Sequence, residues 1–385
     1  MSNIDFDKRQ LILWHYLLYA CLFFIISVNF SLNLSKTGQY FLDLNKFMNG
    51  ETAIPYQYRI LTIPLFRGLI DLFGTVDLST SLRHWPAYLI KPYQQAYFIV
   101  NTMSYFIALG TFSCMAQKVF VSRGDVFCAV ALFLFISYAV FILNPDLQFI
   151  LPYDLPSLAF EQLCCLLVLK RRWVVLSAVF ALATLNRETD FLIILFLVTR
   201  AWTGSEDRRT GLAVAAFLSV IWWTIKLSLL FLITGVGSDA PLGGIANFKP
   251  IYNFTTMLKP WQWPSLCLLF VPLILTIWFL FEKPSKKALD WILPYIAGFS
   301  MIFVVANITE HRSFGDLTGF AAMSLMFFFK SRDVFAFASA DVVSKPKSAL
   351  FNRYTRRAET PAASLLPLKP EPVSKQACSF FQRFR

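Results

Sequence analysis

Charge is what this chain has least of. Only 15% of its 385 residues are Asp, Glu, Lys or Arg, against about 25% in an ordinary soluble domain. Beside 57% hydrophobic residues and a mean hydropathy of +0.56, that scarcity makes lipid the solvent of most of the chain. Metal-binding patterns are missing as well. The seven cysteines form no CxxC and no Cys/His spacing: Cys21, Cys114, Cys128, Cys164, Cys165 and Cys267 sit in apolar runs and Cys378 in the C-terminal segment. Neither a zinc site nor a disulfide is expected. A small-residue cleavage site is also lacking after the first apolar run, which follows Asp5, Asp7, Lys8 and Arg9 and reads as a retained first span. No internal repeat is visible.

What the chain has is apolar runs separated by basic connections. A helix needs roughly 20 apolar residues to cross a ~30 Å hydrocarbon core, and runs near 11–33, 95–116, 125–143, 154–169, 173–186, 190–202, 211–235, 263–281, 288–307 and 316–330 predict about ten spans. The expected fold class is therefore all-α, a polytopic transmembrane helix bundle over 1–330. The excess of Lys and Arg, net +12, falls in alternate connections: Lys118 and Arg123, Lys170 to Arg172, Arg200 with Arg208 and Arg209, Lys283 with Lys286 and Lys287, and the C-terminal segment. The opposite short loops, 144–153, 186–190 and 307–316, hold only Arg187 and Arg312. By the positive-inside rule both termini are cytoplasmic, and the basic excess does not imply nucleic acid.

Two segments lie outside the expected bundle. The long first outer loop, about 34–94, carries Tyr58 to Phe73, whose charges at Arg59, Arg67 and Asp71 leave a broad apolar face. It predicts one or two interfacial amphipathic helices. A second outer loop, about 236–262, is rich in Gly, Pro and aromatics, and Trp261 and Trp263 suit an interfacial belt. Residues 331–385 are polar, basic and proline-bearing, and read as a disordered cytoplasmic tail.

Span length places the chemistry. Trp173 to Leu185 is 13 residues, about 20 Å of helix against a ~30 Å core. The motif Asn186-Arg187-Glu188-Thr189-Asp190 then lies about 10 Å below the outer surface. The same arithmetic sinks Pro152-Tyr153-Asp154-Leu155-Pro156 and Glu310-His311-Arg312-Ser313-Phe314-Gly315-Asp316. Charges at such depth line water or pair inside the protein, so the three motifs predict a shared outward-facing cavity. The plainer alternative is that Arg187 with Glu188, and Glu310 with Arg312, are clamps between helix ends. Asp154 is either a turn acid or a functional one. Lys226, about 22 Å along its span, either snorkels outward, meets a lipid phosphate, or pairs with the mid-span Glu161. Asp290, close to a basic connection, reads as structural. In the first outer loop Asp43 and Glu51 precede Pro55-Tyr56-Gln57-Tyr58-Arg59, a place where an arginine could meet phosphate and an acid could deprotonate a hydroxyl.

Four short motifs together carry a resemblance: Tyr56-Gln57-Tyr58-Arg59 after the first span, Tyr153-Asp154-Leu155-Pro156, Asn186-Arg187-Glu188-Thr189, and Glu310-His311-Arg312 near the last spans. In these the chain resembles the GT-C class of integral-membrane glycosyltransferases, over most of residues 1–330; the tail has no counterpart. The resemblance implies a bacterial cytoplasmic-membrane enzyme that moves a sugar from a polyprenyl-phosphate donor to a cell-surface glycan or lipid acceptor on the non-cytoplasmic face, with inversion. It implies a base among Asp43, Glu51, Asp154 and Glu188. Substrate contacts would come from Tyr58, Arg59, Tyr153, Asn186, Arg187, Lys226, Glu310 and Arg312, the cations neutralising a phosphate leaving group. No cofactor is required; some members of the class use a divalent metal, and no acidic cluster in this sequence demands one. Partners would be the lipid-linked donor, the acceptor and membrane lipids. Competing functions are a transporter or flippase, against which stand the missing repeat and the one-sided polar motifs, and a polymerase or ligase of lipid-linked polysaccharide.

Overall fold

A computed structural model of the chain describes residues 3–37, 49, 59–75, 91–143, 151–232, 249–306, 308 and 311–334, with backbone alone at 3–16, 37, 75, 188, 230, 261, 265 and 312. Among the described residues every regular element is helical. In chain order these are α1 Asn3–Thr37, α2 Thr62–Thr75, α3 Pro92–Val119, α4 Arg123–Phe141, α5 Asp154–Leu169, α6 Trp173–Asn186, α7 Phe191–Thr203, α8 Arg208–Leu232, α9 Pro250–Met257, α10 Trp263–Phe281, α11 Lys286–Val305 and α12 Thr318–Ser331. Five stretches are long and apolar enough to cross a bilayer: Leu17–Lys36, Pro92–Val119, Arg123–Phe141, Arg208–Leu229 and Lys286–Val305. Trp173–Asn186, Phe191–Thr203 and Leu266–Phe281 are apolar but shorter. The tail from Phe335 onward lies outside the described residues.

Local chemistry sets the helix ends. Pro92 opens α3 at a position where its missing N–H costs nothing. Asp207 precedes α8 and accepts from the Thr210 backbone N–H at 2.8 Å, a bond that also holds its carboxyl below the ordinary carboxylate range. The Ser285 hydroxyl caps α11 by accepting from Ala288 N. Gly204, at φ 78, closes α7 in the left-handed conformation that costs a residue without Cβ least.

Helix α3 runs through the middle of one half of the bundle, packing on α1, α2, α4 and α5. Its Tyr105 stacks on Phe30 of α1 at 3.9 Å between ring centroids, and its Phe112 on Phe133 of α4 at 4.4 Å. In the other half α7 packs on α8 and α11, with Phe196 against Trp291 at 4.8 Å. Large apolar residues also point outward, as Leu22, Phe127, Phe217 and Val220 do. Such an outer surface suits lipid and not water.

The two ends of the bundle differ in charge, and the helix directions show it. At one end, Arg171 pairs with Glu206 at 2.9 Å, Arg200 with Asp290 at 3.1 Å, Lys330 with Asp125, and Arg332 with Glu282. These residues close α5, α7, α10 and α12 or open α4, α8 and α11. The opposite end collects the start of α5, the end of α6 and the starts of α7 and α12. There stand Asp154, Arg187, Asp190 and Asp316. Asp290 is thus explained by Arg200 and by the Thr203 hydroxyl that also donates to it, the structural role its sequence position suggested.

Part of the loop expected at 236–262 is helical. Helix α9 turns Asn253 inward, where its amide donates to the Phe303 and Ala306 carbonyls at 2.6 and 2.9 Å and accepts from Ile308 N at 2.9 Å. Two of these partners are orphan carbonyls at the end of α11. Replacing Asn253 by Ala is expected to destabilise the protein by about 1–3 kcal/mol, the cost of stranding buried polar groups. Chemical denaturation in detergent micelles measures it, and an unchanged midpoint would contradict the assignment.

Candidate functional site

The site forms where four segments of the chain meet at the polar end. Asp154 enters from the first turn of α5 and Arg187 from the residue after α6. Thr189 and Asp190 lie in the single turn Glu188–Asp190, and Asp316 in the turn His311–Leu317. Arg187 Nη1 sits 3.4 Å from Asp154 Oδ1 and 3.3 Å from Asp316 Oδ2, so one guanidinium bridges two carboxylates from distant parts of the sequence. The Thr189 hydroxyl donates to Asp316 Oδ2. Asn186 donates from Nδ2 to the Tyr153 carbonyl at 3.0 Å, tying the end of α6 to the entry of α5.

The segment between α1 and α2 reaches the same place. Arg59 lies over the Tyr153 ring, 4.0 Å from its centroid, and Leu61 N donates to the Leu185 carbonyl at 3.4 Å. The sequence grouped Arg59 with Arg67 and Asp71 as charges on one or two amphipathic helices. Instead Arg59 precedes α2 and is only 6% exposed, while Arg67 and Asp71 are exposed on it. The difference is physical: the flat guanidinium gains an aromatic face in a site that excludes water. Helix α2 itself is anchored by Phe66 packing edge-on against Tyr97 of α3 at 4.9 Å. A Tyr153→Leu substitution removes the ring and is expected to cost about 2 kcal/mol, read as a lowered Tm; Tyr153→Phe keeps the ring and most of the Tm.

The predicted site residues divide into three groups. Arg59, Tyr153, Asp154, Asn186 and Arg187 are brought together. Lys226 stands beside them on α8, its Nζ donating to the Thr184 carbonyl in the last turn of α6 at 3.1 Å. Glu161 is buried in α5 with the Cys165 thiol 3.9 Å from Oε1. Asp43, Glu51, Tyr58 and Glu310 lie outside the described residues, and of Glu188 and Arg312 only the backbone is described.

Arg187 bridges Asp154 and Asp316, acids that arrive from other loops, while the side chain of Glu188, the clamp partner expected from the sequence, lies outside the described residues. The three motifs do converge, but as a packed cluster: Asp154, Asn186, Arg187, Asp190, His311 and Asp316 are all buried. Within it Arg187, from the end of one helix, offsets part of the charge of Asp154 and Asp316, from the ends of two others. Asp316, Asp190 and Thr189 are the members that sequence reasoning did not single out. Each stands at the inner end of a short polar motif abutting a span too short for the membrane, and that position was the available signal.

Close packing holds the cluster in place. A Cβ on Gly319 would come within 2.2 Å of Gln162 Oε1, and one on Gly315 within 2.3 Å of Phe141 Cζ. Glycine lets α12 and the turn before it approach α5 and α4 this closely. Among the described residues no three Asp, Glu, His or Cys side chains converge tightly enough to hold a metal ion. No protein-family model, curated protein or solved structure matches this chain.

Proposed function

We propose that the chain is a membrane glycosyltransferase that moves a sugar from a polyprenyl-phosphate donor to a cell-surface glycan or lipid acceptor, acting at the polar end of the bundle. In this reading the ten apolar runs all cross a bacterial cytoplasmic membrane, the basic end faces the cytoplasm, and the shorter helices are completed by their sunken polar ends. The observation that carries it is the convergence of Arg59, Tyr153, Asp154, Asn186 and Arg187 from three separate segments on one buried cluster. Four motifs that resemble those of the GT-C class thus contribute to one place through three of their number.

The division of labour follows from chemistry. A phosphate leaving group develops negative charge, which Arg59, Arg187 and Lys226 are the nearest described cations to neutralise. Asp154, held by Arg187 and next to Tyr153, is the described acid placed to take the proton of an acceptor hydroxyl. Asp43, Glu51 and Glu188 remain its rivals from the sequence. A membrane transporter is the competing reading, favoured by the buried Glu161 in mid-helix. Against it stands the one-sided cluster, since alternating access needs a polar route to both faces.

Purified protein in nanodiscs, supplied with polyprenyl-phosphate sugars and membrane-extract acceptors, is expected to release lipid phosphate. Asp154→Asn should abolish release while leaving the protein folded. No turnover with any donor, together with unaltered surface glycans in a deletion strain, would sink the transferase reading; loss at Asp43, Glu51 or Glu188 alone would reassign the base.

A further inference from the structure

Helix α9 is built inside out by the standards of a water-facing helix. Two of its polar side chains, Asn253 and Thr256, three residues apart on one face, are buried against the protein at 0% and 1% exposure, while the exposed Thr255 turns its hydroxyl back onto the Tyr252 carbonyl at 2.8 Å. On the opposite face Ile251 and Leu258 are 77% and 78% exposed, and Tyr252 and Phe254 are exposed beside them. The inward polarity is accounted for by the three Asn253 hydrogen bonds to the end of α11. Of the residues on the outward apolar face, Phe254 packs edge-on against Phe303 of α11 at 5.4 Å between ring centroids, and Ile251 and Leu258 stay largely exposed.

Three features identify what covers it. The apolar face continues into Met301 and Val305, outward-pointing residues on the last turns of α11, a helix long and apolar enough to span a bilayer. Lys249 and Lys259 stand at the two ends of α9. Trp263, exposed at the start of α10, donates from Nε1 to the Met257 carbonyl at 3.0 Å, so an aromatic of the kind found at membrane boundaries is fixed to the same helix. An apolar face, flanking cations that reach phosphate, and a boundary tryptophan are together the pattern of a helix lying in a bilayer surface. A protein partner would instead require the lysines to meet acids and would end the apolar surface at a rim, whereas here it runs on along α11.

We infer that α9 is an interfacial helix whose Ile251, Phe254 and Leu258 rest among the upper acyl chains of the leaflet at the polar end, with Lys249 and Lys259 at the level of the lipid phosphates. The chain thereby fixes the height of the bilayer relative to its charged cluster. This stands independently of the transferase reading, because it concerns lipid as solvent and not as substrate.

The test uses the unaltered full-length protein in phosphatidylcholine nanodiscs containing a photoactivatable phosphatidylcholine, followed by digestion and mass spectrometry. A diazirine on an acyl carbon near the head group is expected to label Ile251, Phe254 or Leu258 and to spare Asn253 and Thr256. A diazirine at the chain terminus is expected to label α8 at Phe217 or Val220 and to leave α9 unmodified. If the near-head-group probe labels α8 or α11 but never α9, the face is covered by water, protein or a second copy, and the proposal falls. Labelling of α9 by the chain-terminus probe alone would place it in the bilayer interior and overturn it equally.

Discussion

Replacing Arg187 by alanine is expected to lower stability by about 3–5 kcal/mol, the usual cost of stripping one partner from a buried ion pair, and to abolish sugar transfer. The guanidinium and both carboxylates it touches are almost wholly buried, so solvent offers little relief. Asp154 and Asp316 would then face each other with their shared cation gone. The magnitude belongs to the stranded charges and not to a net strength of the pair. Neutralising the acids together should therefore restore most of what Arg187→Ala loses. The variant Arg187→Met with Asp154→Asn and Asp316→Asn is expected to denature within about 1–2 kcal/mol of the parent, allowing for imperfect packing, while remaining inactive. Denaturant titration in micelles reads the first quantity and lipid-phosphate release the second. If Arg187→Ala alone proves as stable as the parent, the bridging role assigned to Arg187 is wrong. A separate functional signature follows from Arg187→Lys, which keeps a charge but not the planar fork: transfer should fall about 100-fold or more, as when a preorganised charge-stabilising donor is removed.

Trp291→Ala is expected to cost about 3–5 kcal/mol by cavity formation. Trp291 of α11 is among the largest fully buried side chains, in contact with Phe196 of α7 at 4.8 Å and Phe320 of α12 at 5.8 Å. It holds three helices together beside the Arg200–Asp290 pair. Lipid tails solvate an exposed indole nearly as well as the protein does, so the loss comes from packing in a place lipid cannot enter. Trp291→Phe keeps an aromatic body and should lose roughly half as much. The same substitution at Trp223, exposed on α8, should leave the denaturation midpoint nearly unchanged, and that contrast separates interior packing from general hydrophobicity. Equal losses at the two sites would refute the packing account.

Much of the architecture was readable because it depends on local composition. Apolar runs with basic ends can satisfy their backbone in lipid only as helices, and each of the ten runs contains or coincides with a helix. The alternation of basic and polar connections also survives in three dimensions, as Arg171, Arg200, Lys330 and Arg332 at one end and Arg187 with its acids at the other. Helix α9 escaped notice because eight residues amid Gly- and Pro-rich surroundings give too short a period to read, and because its polar residues point inward. Hydropathy patterns assume that polar side chains face water.

Arg187 shows where sequence stops and tertiary structure begins. That an arginine at the end of a 13- or 14-residue apolar run would lie at depth, if that run crosses a bilayer, followed from the rise of a helix alone. That its charge would either line water or pair inside the protein followed from the cost of a bare charge there. Which acids meet it did not follow. Asp154 and Asp316 hold it because α5, α6 and α12 bring their polar ends to one point and because glycines at 315 and 319 allow close packing there. Helicity and depth are properties of a segment and its solvent, whereas ion pairing at a helix end depends on which other ends stand within a few ångströms, and only the packed bundle decides that.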